Sequence, residues 1–119
     1  MTGATGFLGQ YILRDLLARG QRVVAMLRGS TAESTARLCQ QTLDMGSPVG
    51  EYLQNGQLEV VEGSIPDRLP ETTWGRTDAI IHCAASLALF ANANGDPFKT
   101  NVAGIKAVLD WADEHHIKR

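Results

Sequence analysis

The segment TGATGFLG places Gly3, Gly6 and Gly9 at a fixed three-residue spacing within the first nine residues. Glycines spaced in this way, leading directly into an amphipathic segment, suit one purpose above others, which is to bring backbone N–H groups close to a phosphate. Gly3 is expected to supply the tight turn leaving a strand. Gly6 would let the backbone approach a pyrophosphate, and Gly9 would let the following helix pack closely. A helix starting near Phe7 would then aim its free N–H groups and positive dipole end at the anion. The competing explanation is a glycine-rich turn without a ligand. Against it, the helical pattern starts at once, an apolar strand follows, and the extended spacing matches a known class of nucleotide-binding loop.

The end of the next apolar run decides between ligands. An acidic residue there would hold the adenosine ribose hydroxyls and favour NAD, but the sequence reads MLRGS and the position is Arg28. A guanidinium suits a 2′-phosphate through paired, charge-assisted hydrogen bonds, so the expected cofactor is NADP, ahead of NAD. Arg37, nine positions on, can add a second charge. For both arginines the alternative is a solvated surface residue.

The surrounding elements must hold these groups in place. From Phe7 to Arg19 the pattern is helical, with Phe7, Leu8, Ile12, Leu13, Leu16 and Leu17 as one apolar stripe and Gly20 at the C-cap. QRVVAMLRG reads as a buried strand. Ser30 or Thr31 caps a helix running through Ala36, Leu38 and Leu43. DMGSPVGEYLQNGQ is turn-rich, with a helical turn at Glu51 to Gln54. LEVVEGSI reads as another strand, PDRLPETTWGRT as a loop or broken helix, and DAIIHCAAS as a strand apolar enough to be covered on both faces. A last helix is capped by Asp96, with Pro97 at its first position and Val102, Ile105, Val108, Leu109 and Ala112 along one side. Helices alternating with short buried strands imply an α/β fold, a doubly wound parallel sheet.

Bulk properties narrow the field further. The 119 residues suffice for one modest domain. Eleven basic against 13 acidic residues give a net charge of -2, which argues against nucleic acid or an anionic membrane as partner. No apolar run approaches a membrane-spanning length and no signal peptide opens the chain, so the expected location is cytoplasmic. Cys39 and Cys83 belong to no Cys-x-x-Cys pair and read as two thiols, not a metal site. His115 and His116 read as helix-end histidines favoured by the dipole, and His82 as a satisfied strand histidine.

Taken together, TGATGFLG, LRGSTAESTARL, VVEGSIPDRLP, W…DAIIHCAAS and FKTNVAGIKAVLDWA resemble an extended short-chain dehydrogenase/reductase. Within that superfamily they are most similar to the thioester reductase and fatty acyl reductase group, which includes the male-sterility-type domains. The subgroup likeness rests on Arg28 with Arg37, on Trp74 and on HCAAS. The resemblance spans essentially the whole chain and implies an NAD(P)-binding Rossmann fold. It implies that Thr2, Gly3, Thr5, Gly6, Phe7 and Leu8, with Gly9 behind them, line the pyrophosphate, and that Arg28 and Arg37 hold the 2′-phosphate. Ser64 and Ile65 would sit against the adenine. Cys83, Ala84, Ala85 and Ser86 would border the ribose and nicotinamide side, and Asn101 would pin the last helix nearby. The alternatives are small core residues at Ala84 and Ala85 and a structural hydrogen-bonder at Asn101.

Two departures matter. Ser64 stands where the group usually has aspartate, so the adenine contact is made differently. The group's Tyr-x-x-x-Lys pair, a general acid and the lysine that lowers its pKa, finds no match: Tyr11 is followed four residues on by Asp15 and Tyr52 by Gly56. No catalytic residue is therefore assigned. The chain is expected to be one partial domain, residues 1–119. It would lack the sheet's central first strand, whose absence would open a hydrophobic trench, and everything from the fifth strand onward. The expected role is the NADP(H)-binding portion of a cytoplasmic oxidoreductase, inactive alone, whose parent passes hydride to a thioester or aldehyde carbonyl. Its partners would be that small-molecule substrate and the rest of the reductase chain. The alternatives are a non-catalytic NADP-sensing module and a fragment of an NAD(P)-dependent sugar-nucleotide epimerase or dehydratase.

Overall fold

The computed structural model describes residues 1–43, 46–67, 69–71 and 75–118. Trp74, one carrier of the subgroup likeness, lies outside them. The elements run α1 (Phe7–Ala18), β1 (Val23–Leu27), α2 (Thr31–Leu43), α3 (Val49–Gln54), β2 (Leu58–Glu62), a wide helical turn (Lys99–Ala103) and α4 (Gly104–Glu114).

Local chemistry explains the boundaries. Gly20 adopts φ +76° directly after α1. Its N–H donates to the Leu17 carbonyl at 3.0 Å and the Gln21 N–H to that of Leu16 at 3.0 Å. This pair of bonds closes the helix C-terminus and turns the chain into β1. At α2, Ser30 is the capping residue: its hydroxyl accepts from the Glu33 N–H at 3.4 Å and donates to the Glu33 carboxylate at 2.9 Å. The Asp96 carboxylate accepts from the Thr100 N–H at 3.2 Å and hydroxyl at 2.5 Å, but the N-cap of the last helical segment is Phe98, two residues later than expected, and no side chain caps it there.

β1 and β2 pair in parallel, from Val23 opposite Leu58 to Leu27 opposite Glu62. On the other side of β1, Thr2 forms parallel bridges to both Met26 and His82. The Met26 N–H donates to the Met1 carbonyl at 2.9 Å, the Thr2 N–H to Ile81 at 2.9 Å, and the Cys83 N–H to Thr2 at 3.2 Å. The spatial order is therefore β2, β1, Thr2, His82, with Thr2 in the central place of an incomplete Rossmann-like sheet. Below Thr2, between β1 and residues 79–81, lies an open cavity of about 730 Å³ lined by Met1, Leu16, Val23, Val24, Ala79 and Ile81.

Side chains alternate across this sheet. Val23, Ala25, Leu27 and Leu58 face Leu13 and Leu17 of α1, Leu38 of α2 and Val49 of α3. Met26 faces the other way, into a smaller cluster with Ile65, Leu69, Val108 and Trp111. The sheet is thus covered from both faces, as a doubly wound fold requires.

Some expectations need correction. DAIIHCAAS forms only the bridge at His82, and residues 80–84 are half-buried instead of covered on both faces. Among the described residues no strand lies outside it, and on its inner side only Thr2 pairs with it, so a full ladder has nothing to build on. Phe7 and Leu8 are 81% and 62% exposed, because α1 meets the sheet only from Gly9 onward. On α4 the buried residues are Gly104, Val108 and Trp111, whereas Ile105 and Leu109, and Val102 in the wide turn before it, are exposed. The wide turn at Lys99–Ala103 shifts the helical phase, so the buried stripe is narrower than the sequence spacing suggests.

Candidate functional site

The glycine loop shows why its residue types are required. Gly3 has φ +71°, and a β-carbon there would lie 2.5 Å from both the Ala84 nitrogen and the Cys83 carbonyl carbon. A β-carbon on Gly9 would lie 2.0 Å from the Gly3 carbonyl oxygen, and one on Gly6 3.2 Å from the same atom. The close approach at Gly9 is therefore against the loop backbone itself. The Gly6 N–H donates to the Gly3 carbonyl at 2.9 Å, closing the turn. No side chain caps α1 and no acidic residue occupies its first turn, so the positive end of the helix is left for an anion.

This loop forms one wall of a cleft of about 550 Å³ above the ends of β1 and β2. Of the residues expected at the site, the cleft brings together Thr2, Gly3, Thr5, Gly6, Arg28, Arg37, Ser64, Ile65, Cys83, Ala84, Ala85 and Ser86. Phe7 and Leu8 stay outside it, pointing to solvent, and Gly9 sits behind the loop. Asn101 does not line the cleft. It holds the wall from outside: its Oδ1 accepts from the Ser86 N–H at 2.7 Å and its Nδ2 donates to the Ser86 carbonyl at 3.0 Å.

At one end of the cleft stand the two arginines. The Arg28 carbonyl accepts from the Ser34 hydroxyl at 2.6 Å and from Arg37 Nη2 at 3.4 Å, so the Arg37 guanidinium reaches the backbone of Arg28, and both exposed residues line this end of the cleft. At the floor, the buried Thr2 hydroxyl lies 2.6 Å from His82 Nδ1 and accepts from the Ala84 N–H at 3.3 Å. Burial holds the His82 pKa below the ordinary imidazole value.

Sequence reasoning missed Met26, Leu27, Gln41, Gly63, Leu87, Asp96 and Thr100, which also line the cleft. Gln41 had a signal, since it stands one helical turn beyond Arg37 on the same face. Gly63 had none: a β-carbon there would lie 2.6 Å from the Met26 sulfur, a contact visible only in three dimensions. Tyr11 packs against Phe7 and Arg14 on the outer side of α1, and Tyr52 packs against the core. Among the described residues, no tyrosine reaches the cleft.

A doubly wound sheet, a glycine loop at its central position and a polar cleft across its strand ends together define a dinucleotide-binding α/β domain. The three glycines let the loop close tightly against residues 83 and 84 and against its own backbone, and the uncapped start of α1 leaves N–H groups suited to a diphosphate. Comparison with known families agrees: the profile described as male sterility protein, an NAD-binding family, matches residues 1–119, and the chain belongs to that family. It is similar to the isonitrile lipopeptide synthase of Mycobacterium tuberculosis, at 35% identity over 123 residues, covering 92% of this chain and 5% of that protein. It is also similar to the carboxylic acid reductase of the same organism, at 31% identity over 126 residues, covering 94% of this chain and 11% of the other. The L-2-aminoadipate reductase large subunit of Penicillium chrysogenum is 35% identical over 95 residues, or 71% of this chain and 7% of that protein. The chain thus spans about a tenth or less of the length of these relatives. No solved structure matches it. It is an NAD(P)-binding domain of a reductase family.

Proposed function

We propose that the chain binds NADP(H) in preference to NAD(H), and serves a reductase that passes hydride to a thioester or aldehyde carbonyl. The carrying observation is that Arg28 and Arg37 both line the cleft, with the Arg37 guanidinium 3.4 Å from the Arg28 carbonyl. Two guanidinium groups there suit the dianionic 2′-phosphate that distinguishes NADP from NAD. Thr2, Gly3, Thr5 and Gly6, with the open end of α1, would hold the pyrophosphate. Ser64 and Ile65 would border the adenine, and Cys83 to Ser86 the nicotinamide side. The bound cofactor would supply the hydride, and this chain's residues bind and orient it. The similarity to a carboxylic acid reductase and an aminoadipate reductase supports the thioester or aldehyde class.

The test is a thermal melt of the protein followed by circular dichroism, alone and with saturating NADPH or NADH. A cooperative transition raised by NADPH well beyond NADH is the expected result. Equal shifts with both would remove the assigned role of the arginine corner.

A further inference from the structure

We propose that Asp96 makes the cleft discriminate between the two redox states of its cofactor, favouring the oxidised form, whose nicotinamide ring carries a positive charge. The inference rests on the NADP(H) reading above and adds a specificity-determining residue to it.

Among the described residues, those with charged side chains that line the cleft are Arg28, Arg37 and Asp96. The sheet order sets the acid apart from the two bases. Arg28 continues β1 and Arg37 lies on α2, whereas residues 83–86 continue from His82, on the other side of Thr2. Hydrogen bonds tie Asp96 to that second wall. Asn101 exchanges two with Ser86, at 2.7 and 3.0 Å, and the adjoining Thr100 donates its N–H and hydroxyl to Asp96 Oδ1 at 3.2 and 2.5 Å. Leu87 and Thr100 line the cleft alongside it.

No neighbouring charge cancels this carboxylate. Both Thr100 bonds end on Oδ1, and Asp96 forms no ion pair among the described residues. It is half-buried, so solvent and salt screen it less than a carboxylate on the open surface. Lys99, the cation nearest to it in sequence, is exposed and does not line the cleft.

The cleft is therefore positive on the β1 side and negative on the wall assigned above to the nicotinamide. Oxidised NADP has the complementary polarity, with a dianionic 2′-phosphate at one end and a ring of charge +1 at the other. Accepting a hydride removes the ring charge and leaves the phosphates, riboses and adenine as they were. Contacts to those parts are shared by the two forms and cancel from their affinity ratio. A carboxylate on the nicotinamide wall acts on the ring charge, the one term that does not cancel.

The probes are NADP+ and NADPH, titrated calorimetrically into the full chain as wild type, Asp96→Asn and Thr100→Val. Asp96→Asn removes the charge while its carboxamide oxygen still accepts both Thr100 bonds. Thr100→Val removes the hydroxyl bond and keeps the charge. The affinity ratio of NADP+ to NADPH should fall about fivefold in Asp96→Asn, the scale of a partly screened charge pair, and stay at the wild-type value in Thr100→Val. Where Asp96→Asn does not fold, Asp96→Ser supplies a second uncharged side chain with the same liking for a helix start. Loss of fold stability lowers both affinities together, so the ratio carries the answer. A wild-type ratio retained in the uncharged variant, or an equal fall in Thr100→Val, overturns the assignment while leaving the cofactor reading intact. Failure of wild type to bind either form overturns both.

Discussion

Gly9 lies so close beneath Gly3 that a β-carbon on it would stand 2.0 Å from the Gly3 carbonyl oxygen and 2.8 Å from its carbonyl carbon. Backbone cannot step aside as a side-chain tip can, so Gly9→Ala must push α1 away from the loop. The expected cost is about 3 kcal/mol, the upper end for overpacking. Gly50→Ala is the control: its β-carbon meets nothing within 4 Å, and in helix α3 alanine should stabilise by about 0.5 kcal/mol. Paired thermal melts check both signs.

The arginine corner predicts a ligand-selective loss. Arg28→Ala and Arg37→Ala should each weaken NADPH binding about tenfold, the scale of one charge-assisted contact at an exposed site. NADH affinity should change little, since it has no 2′-phosphate. Titration of both cofactors against both variants decides it, and an equal loss for NADH would mean that the arginines act on something other than that phosphate.

Much of this site was legible because its chemistry lies in local sequence. The glycine spacing, the Schellman-type stop at Gly20 and the Ser30–Glu33 cap each depend on residues within a few positions of one another. Arg28 could be placed because a strand end follows directly from the apolar run before it. What the sequence did not reveal depends on distant partners. Gly63 packs against the side chain of Met26, thirty-seven residues earlier in the chain, and the phase of α4 follows from a wide turn that no spacing rule anticipates. DAIIHCAAS has the composition of a covered strand, yet coverage depends on neighbours and not on the segment itself. Phe7 and Leu8 continue the apolar stripe of α1, but the helix overhangs the sheet at that end.

The hydroxyl of Thr2 satisfies two groups at once, His82 Nδ1 and the Ala84 N–H. Thr2→Val keeps the shape and removes the oxygen, leaving both partners unsatisfied at a site only 2% exposed. A loss of about 1–3 kcal/mol follows, and Thr2→Ser should recover most of it. Chemical denaturation of the two variants is the measurement, and equal stability for both would mean that the hydroxyl contributes nothing.

Asn101 and Ser86 exchange two hydrogen bonds, side chain to backbone in both directions. Asn101→Asp keeps the acceptor for the Ser86 N–H but sets a carboxylate oxygen against the Ser86 carbonyl. The wall of the cleft from Cys83 to Ser86 should then shift, and cofactor affinity should fall severalfold more than in Asn101→Ala, which removes both bonds without adding repulsion. Calorimetry with NADPH ranks the two.

His115 should make part of the stability depend on pH, with a sign opposite to that of His82. Its ring stacks on Trp111 with centroids 3.9 Å apart, its Nδ1 lies 2.8 Å from the Trp111 carbonyl, and its Nε2 lies 3.2 Å from Glu71. The hydrogen bond to the Trp111 carbonyl is the largest influence and raises its pKa; burial opposes it, and the hydrogen bond and charge of Glu71 and the charge of Glu114 add to the rise. A raised imidazole favours the protonated folded state. Its contribution is fully present below the ordinary value of about 6.5 and is lost as pH rises through the folded pKa. For His82, lowered by burial, the fold favours the neutral ring, and stability falls as pH drops below about 6.5. Site-resolved NMR titration should therefore find the His115 midpoint above 6.5 and the His82 midpoint below it. In melts, His115→Gln should fall furthest below wild type on the acid side, with the gap closing as pH rises. A gap that instead widens toward high pH would show that the Trp111 and Glu71 contacts do not hold the proton on His115.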